Sequence, residues 1–276
     1  MELKIVSDSS CDLLALDGVP FSVVPLKIVT DRKEYIDNES LNVELMIEEL
    51  REYKGKSSTS CPNVKEWEEA FQDAEGVFAV TITSGLSGSY QAALAAKALC
   101  EEKDSEKQIH VFDTRSAGPE MVLLIGKIRD LIRKGESFET ICDQATAYQK
   151  RTHLIFALES MHNFAQNGRV GKIAAAAAGV LGIRVLGRAS QAGTLELLTK
   201  CRGAAKTVAA FLAELKKLGY AGGKINIAQC LNEEGAKGLK NAILSEFASA
   251  EISVYPLRGL CSYYAERGGI LLGFES

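Results

Sequence analysis

The sequence predicts an α/β protein in two domains, the first built on a parallel sheet with helices packed over it. Three observations lead there. The chain has 276 residues, more than most single hydrophobic cores hold. Its first half alternates short apolar runs with amphipathic segments of helical period, the pattern of parallel strands joined by covering helices. Around residues 149–152 helix gives way to strand and the pattern changes, which sets the expected units at 1–150 and 151–276.

The elements follow in order. Residues 3–6 (Leu-Lys-Ile-Val) read as the first strand. Asn63 with Glu66 forms a capping box, and Trp67, Ala70, Phe71 and Ala74 then share one helix face. Residues 77–82 are a buried-looking strand, and a helix over about 89–100 carries Ala92, Ala95, Ala96 and Leu99 at helical spacing. Its small side chains suit close packing on a sheet. Residues 109–112 form a third strand, and Pro119 opens a helix that repeats Val122, Ile125 and Ile128 and stops at Gly135. In the second half, 154–158 is strand-like and an Ala-rich stretch follows over 171–182. Residues 183–186 and 194–198 then flank a turn at Gln191-Ala192-Gly193. A helix with Val208, Phe211, Leu212, Leu215 and Leu218 ends at Gly219; strands at 225–228 and 252–255 bracket another helix over 232–247.

Composition excludes several function classes. Hydrophobic residues at 46% and charged residues at 25% are those of a globular protein. Lys plus Arg at 32 against Asp plus Glu at 36 leaves a net charge of −4, which argues against a nucleic-acid binder. No stretch approaches the roughly 18–20 apolar residues of a membrane span. Met1-Glu2-Leu3-Lys4 lacks the basic lead and apolar run of a signal peptide, so a cytoplasmic protein is expected. The seven cysteines are scattered, without close pairs, and are expected to be reduced thiols; with only three histidines, no metal or cofactor site is expected.

Three polar loops each directly follow a predicted strand: Ser7-Asp8-Ser9-Ser10, residues 83–89, and residues 113–118. In an open parallel sheet the carboxyl ends of the strands gather along one edge, where ligands bind. A fourth polar turn, residues 57–60, precedes the capped helix and is expected to join them. Gly85 and Gly88 let the backbone approach a ligand, and a helix starting near Ser89 offers unpaired N–H groups. Thr59, Ser84 and Ser87 add neutral donors, making a pocket for a carboxylate or phosphate held without a fixed positive charge; Asp8, Ser9, Ser60 and Gly88 are expected among its binding residues. The plainer reading is that such loops are only turns and helix caps; four on one edge favour the pocket. For Asp8 and Asp113, capping is favoured over binding Mg²⁺ or acting as a base.

Sharper catalytic motifs fail by one or two residues. Gly85-Leu86-Ser87-Gly88-Ser89 has serine where a nucleophile elbow needs its last glycine. An esterase-like hydrolase using Ser87 with His153 or His162 is the second reading. Gly171-Lys172 lacks the remainder of a phosphate loop, and His110 alternates within a strand as a packed histidine would.

The ordered set Ser7-Asp8-Ser9, Thr59-Ser60-Cys61-Pro62, Ser84-Gly85-Leu86-Ser87-Gly88-Ser89-Tyr90-Gln91, Asp113-Thr114-Arg115, Gly168-Arg169-Val170 and Lys200-Cys201-Arg202 resembles the DegV family of bacterial fatty-acid-binding proteins. The resemblance spans essentially the whole chain. It implies a DegV-like α/β architecture, with an N-terminal three-layer α/β/α parallel sheet and a C-terminal α/β domain on a mixed sheet. The two would clasp one long-chain fatty acid, its carboxyl head on Thr59 and Ser87. It further implies a carrier without catalytic activity or cofactor, which in some members presents its acyl group to a fatty acid kinase subunit. Arg169 and Arg202 match the basic residues at the pocket mouth of those members. Ala265 stands where family members often carry histidine, Gly268 where they carry proline, and Cys61 replaces a common glutamine. The missing histidine bears on the kinase role and leaves binding intact. The Ala-rich residues 173–180 either line the acyl tunnel or pack tightly against neighbouring elements.

Overall fold

The computed structural model describes residues 2–170 and 182–276; the expectations for the Ala-rich segment 173–180 fall outside the described residues. The first half runs β1 (Leu3–Asp8), a 3₁₀ turn (Ser9–Cys11), β2 (Phe21–Val24), β3 (Lys27–Val29), β4 (Glu34–Ile36), α1 (Val43–Glu52), β5 (Ser58–Ser60), α2 (Val64–Ala70), β6 (Gly76–Thr81), α3 (Ser89–Lys103), β7 (Gln108–Asp113), α4 (Pro119–Arg133) and α5 (Phe138–Gln149). The second runs β8 (Thr152–Leu158), α6 (His162–Gln166), β9 (Ile183–Ala189), β10 (Leu195–Arg202), α7 (Ala204–Lys217), β11 (Gly223–Gln229), α8 (Glu233–Glu246), β12 (Ala250–Pro256), α9 (Gly259–Ala265) and β13 (Ile270–Glu275).

β2, β1, β6 and β7 form a parallel sheet in that order. Every residue of β6 is buried, because both faces of the sheet are covered. Phe78 and Val80 point toward α4 and α5, whereas Val77 and Ala79 pack with Trp67 of α2 and with Ala93 and Ala96 of α3. This is the expected three-layer arrangement.

The second sheet is mixed, in the order β10-β9-β8-β13-β11-β12. Only β11 and β12 pair in parallel; β13 lies between β8 and β11, antiparallel to both. Period-two alternation divides its residues. Ile155, Ala157, Leu272 and Phe274 face Phe211 and Leu215 of α7 and Leu239 and Ile243 of α8. Leu154, Phe156, Leu158 and Leu271 face the other way, toward the first half. No described helix is long and apolar enough to cross a membrane.

The strands of the two sheets separate at Thr152, but the side-chain packing does not. Ile28, Met46 and Ile47 share one core with Leu154, Phe156 and Leu271. α4 packs against β1 and β6 on one side and against β8, β11 and β13 on the other. Gly273 makes that seam close: a Cβ there would stand 2.5 Å from the backbone of Pro119 and Glu120. The third sheet, β4-β3-β5, is small and antiparallel. Residues 58–60, expected as a polar turn, are therefore its edge strand. A three-residue strand of Ser-Thr-Ser has no apolar alternation to reveal it.

Candidate functional site

A cavity of about 280 Å³ lies where the carboxyl edge of the parallel sheet meets the inner face of the mixed sheet. Its rim is made of loops and its wall of strand and helix faces.

The rim depends on Asp8. At the end of β1 this carboxylate is fully buried, and its Oδ2 accepts from the N–H of Ile82 (2.9 Å) and from Ser89 Oγ (2.6 Å). Its Oδ1 accepts from the N–H and hydroxyl of Ser10. Burial pushes its pKa above the usual carboxylate range, and these hydrogen bonds pull it back. Asp8 thus ties the end of β1 to both ends of the loop between β6 and α3. Within that loop the N–H groups of Leu86 and Ser87 both donate to the carbonyl of Thr83, closing a tight turn that presents Ser87 and Gly88 to the cavity. Ser87 Oγ accepts from the N–H of Ser89 (3.2 Å), while the N–H groups of Gly88 and Tyr90 meet no acceptor among the described residues. These donors open the 15-residue α3, so its positive dipole end adds to them.

Opposite stands Thr59 on β5, whose Oγ1 is hydrogen-bonded to the hydroxyl of Tyr264 at 2.8 Å. Arg169 completes the group: its Nε donates to the carbonyl of Leu86 (3.3 Å), one residue from Ser87. Its charge favours the ionised form of Tyr264, though burial of that phenol dominates and raises its pKa. Arg115 also lines the rim, reaching the carbonyl of Gln191 at 3.4 Å. Neither arginine has an acidic partner among the described residues. The hairpin between β9 and β10 shuts one side, where Thr83 Oγ1 donates to the carbonyl of Gly193 at 2.7 Å. A Cβ at position 193 would fall 2.1 Å from that hydroxyl, so only glycine fits.

The wall is apolar. Leu154, Phe156 and Leu158 line it from β8, Leu271 from β13, and Leu260 and Ala265 from α9. α9 is fixed by the first half of the chain: both oxygens of Asp37 accept from the N–H groups of Gly259 (2.8 Å) and Leu260 (2.9 Å). One continuous space therefore runs from hydroxyls, free N–H groups and guanidinium charge to hydrocarbon.

Thr59, Ser60, Ser87, Gly88 and Arg169 line the cavity. Asp8, Ser9, Ser84 and Arg202 do not. Asp8 is the brace just described, and Ser9 Oγ accepts from the N–H of Leu26 (3.0 Å). Ser84 donates through both its N–H and its hydroxyl to Asp113. Arg202 is exposed at the end of β10. Arg169, expected at the pocket mouth, and Arg115 add guanidinium charge beside the neutral donors. Sequence reasoning passed over Tyr264, which no motif marks, and Arg115, which appeared only as a family-like residue without a role.

No histidine borders Ser87. His110 packs against Phe112 with the rings tilted, His153 Nε2 contacts Ser276 Oγ at 2.9 Å, and His162 borders a separate cavity. Neither histidine offered as the base of a Ser87 hydrolase, His153 or His162, is therefore beside it. All seven cysteines are free.

A family model described as "Uncharacterised protein, DegV family" matches residues 2–275. A DegV domain-containing protein of Streptococcus pneumoniae is 42% identical over 279 residues, covering 100% of this chain and 99% of the relative. The crystal structure of a DegV family protein from Eubacterium eligens loaded with heptadecanoic acid superposes with a TM-score of 0.97 at 43% identity, covering 99% of each chain. The Fatty Acid Kinase (Fak) B3 protein of Streptococcus pneumoniae, loaded with linoleic acid, gives a TM-score of 0.97 at 42% identity, covering 100% of this chain and 99% of that one.

Proposed function

This chain belongs to the DegV family, and we propose that it is a non-catalytic carrier of one long-chain fatty acid. The carboxylate lies between Thr59, Ser87, the free N–H of Gly88 and Arg169, and the tail runs along the wall of Leu154, Phe156, Leu158 and Leu271. The carrying observation is the graded cavity itself, polar and positive at one end and hydrocarbon at the other. A carboxylate leaving water must be hydrogen-bonded or paired, and the rim supplies both. Each methylene buried along the wall contributes about 0.8 kcal/mol, so the tail provides most of the affinity. Similar proteins hold heptadecanoic and linoleic acids, which supports this division of labour.

The likeness to a fatty acid kinase B3 protein extends the proposal: the carrier presents its carboxylate to a kinase subunit in the cytoplasm. Units 1–150 and 151–276 act as the two jaws: the first brings Thr59, Ser87 and Gly88 to the head, and the second brings Arg169 and most of the wall along the tail. Ala265 is buried in the wall, where its methyl belongs to the hydrocarbon surface offered to the tail.

Mass spectrometry of denatured, freshly purified protein tests the proposal. One equivalent of a long-chain acid is expected. Protein that emerges empty and takes up no acid when offered hexadecanoic or octadecenoic acid overturns it.

A further inference from the structure

Gly187 on β9 has a backbone conformation that any residue tolerates, so its lack of a side chain has another cause. It pairs directly with Phe156 of β8, which in turn pairs with Leu271 of β13. Paired residues share a face of the sheet, so Gly187 lies on the face from which Phe156 and Leu271 line the cavity. Side chains on a sheet normally stand roughly perpendicular to it. Phe156 instead leans sideways over its partner: a Cβ at position 187 would meet Cζ of the ring at 2.4 Å and Cε2 at 2.6 Å. An aromatic side chain covering a cross-strand glycine is a known way of filling the gap that glycine leaves. Here it also lays the largest side chain of β8 flat against the floor of the cavity it lines.

We propose that Gly187 is a positioning residue that sets the depth of the acyl cavity, and with it the length of chain accepted, by letting the Phe156 ring recline. The inference rests on the fatty-acid reading above. With any side chain at 187 the ring must leave that place. Leu271 flanks it on the opposite strand, so the open direction is upward into the cavity, where the ring occupies the path of the tail.

Two substitutions probe the geometry from opposite sides, with binding measured for dodecanoic, hexadecanoic, octadecanoic and cis-octadecenoic acids. Gly187→Ala is expected to weaken octadecanoic acid roughly tenfold relative to dodecanoic acid, the equivalent of about two methylenes left in water. Adding Phe156→Leu to it is expected to restore the long-chain preference, which a general loss of stability would not do. Phe156→Ala alone lowers the floor and is expected to improve binding of a bent octadecenoic acid relative to the straight one. That variant keeps the test decisive should Gly187→Ala fail to fold, since the alanine Cβ also meets the Glu196 carbonyl at 2.8 Å. If the parent binds these acids and the variants keep its length and shape profile, the role of Gly187 is overturned and the carrier reading stands. A parent that binds none of them removes both.

Discussion

The two ends of the cavity are built on different principles. The rim consists mainly of loops, and its groups are aimed by side-chain hydrogen bonds: Asp8 on Ile82 and Ser89, both buried, and Thr59 of β5 on Tyr264, part-buried. The wall consists of strand and helix faces, and its side chains are aimed by the pleat of the sheet. Chemical selectivity therefore rests on a few directional contacts, each of which fails abruptly. Length selectivity rests on area and shape and changes by degrees.

The largest expected effect follows from removing the brace of the rim. Asp8→Ala leaves the buried Ile82 N–H and the Ser89 and Ser10 hydroxyls without their acceptor. At roughly 1–3 kcal/mol for each unsatisfied group, a loss of about 4 kcal/mol in urea-unfolding stability is expected. A loss below about 1 kcal/mol would show that the loop holds its shape without Asp8.

The seam behind the wall is expected to respond to pH. Glu120 of α4 is buried and accepts from Thr152 Oγ1 of β8 at 2.8 Å; burial raises its pKa from an ordinary 4.5 to about 7. Between those values the folded chain holds a proton that the unfolded chain has released. Stability is then fully present below about pH 4.5 and falls as pH rises through about 7, by at most roughly 1.4 kcal/mol per unit. Glu120→Gln should flatten that part of the profile in thermal or urea melts. An equal slope in both proteins would assign it to another group.

Smaller changes sharpen the contrast between the two ends. Arg169→Ala should weaken binding of an ionised acid by about 2 kcal/mol while leaving the corresponding fatty alcohol nearly unchanged, in paired titrations. Equal losses for both would make Arg169 part of the wall. Thr59→Val with Ser87→Ala should cost about 1 kcal/mol per hydroxyl, with no change in the ranking of chain lengths. A changed ranking would mean that the rim also measures the tail.

How much of this was legible in the sequence depended on whether a feature was periodic or directional. The parallel sheet and its covering helices show in the apolar run of residues 77–82, the alanines of α3 and the spacing of Val122, Ile125 and Ile128. β13 carries no alternation to read, because both its faces are covered. The site was legible where motif and edge coincide, as at Ser87 and Gly88. At Asp8 the favoured capping reading holds, since its side chain caps the 3₁₀ turn, whereas its place among the pocket residues does not: a carboxylate at a strand end can face the ligand or turn beneath the loop. The course of the backbone decided that, through the Ile82 N–H. Tyr264 was invisible for the same reason: long-range contacts of α9, among them the Asp37 cap, bring it to Thr59.

The place of β13 at the middle of the mixed sheet has a consequence for synthesis on the ribosome. It is translated after every strand it joins, so until it emerges β8-β9-β10 and β11-β12 are two separate pieces with no bond between them. Such late, long-range pairing makes for slow maturation. A nascent chain lacking β13 also lacks Leu271, so the wall of the cavity stays incomplete until that strand has been made.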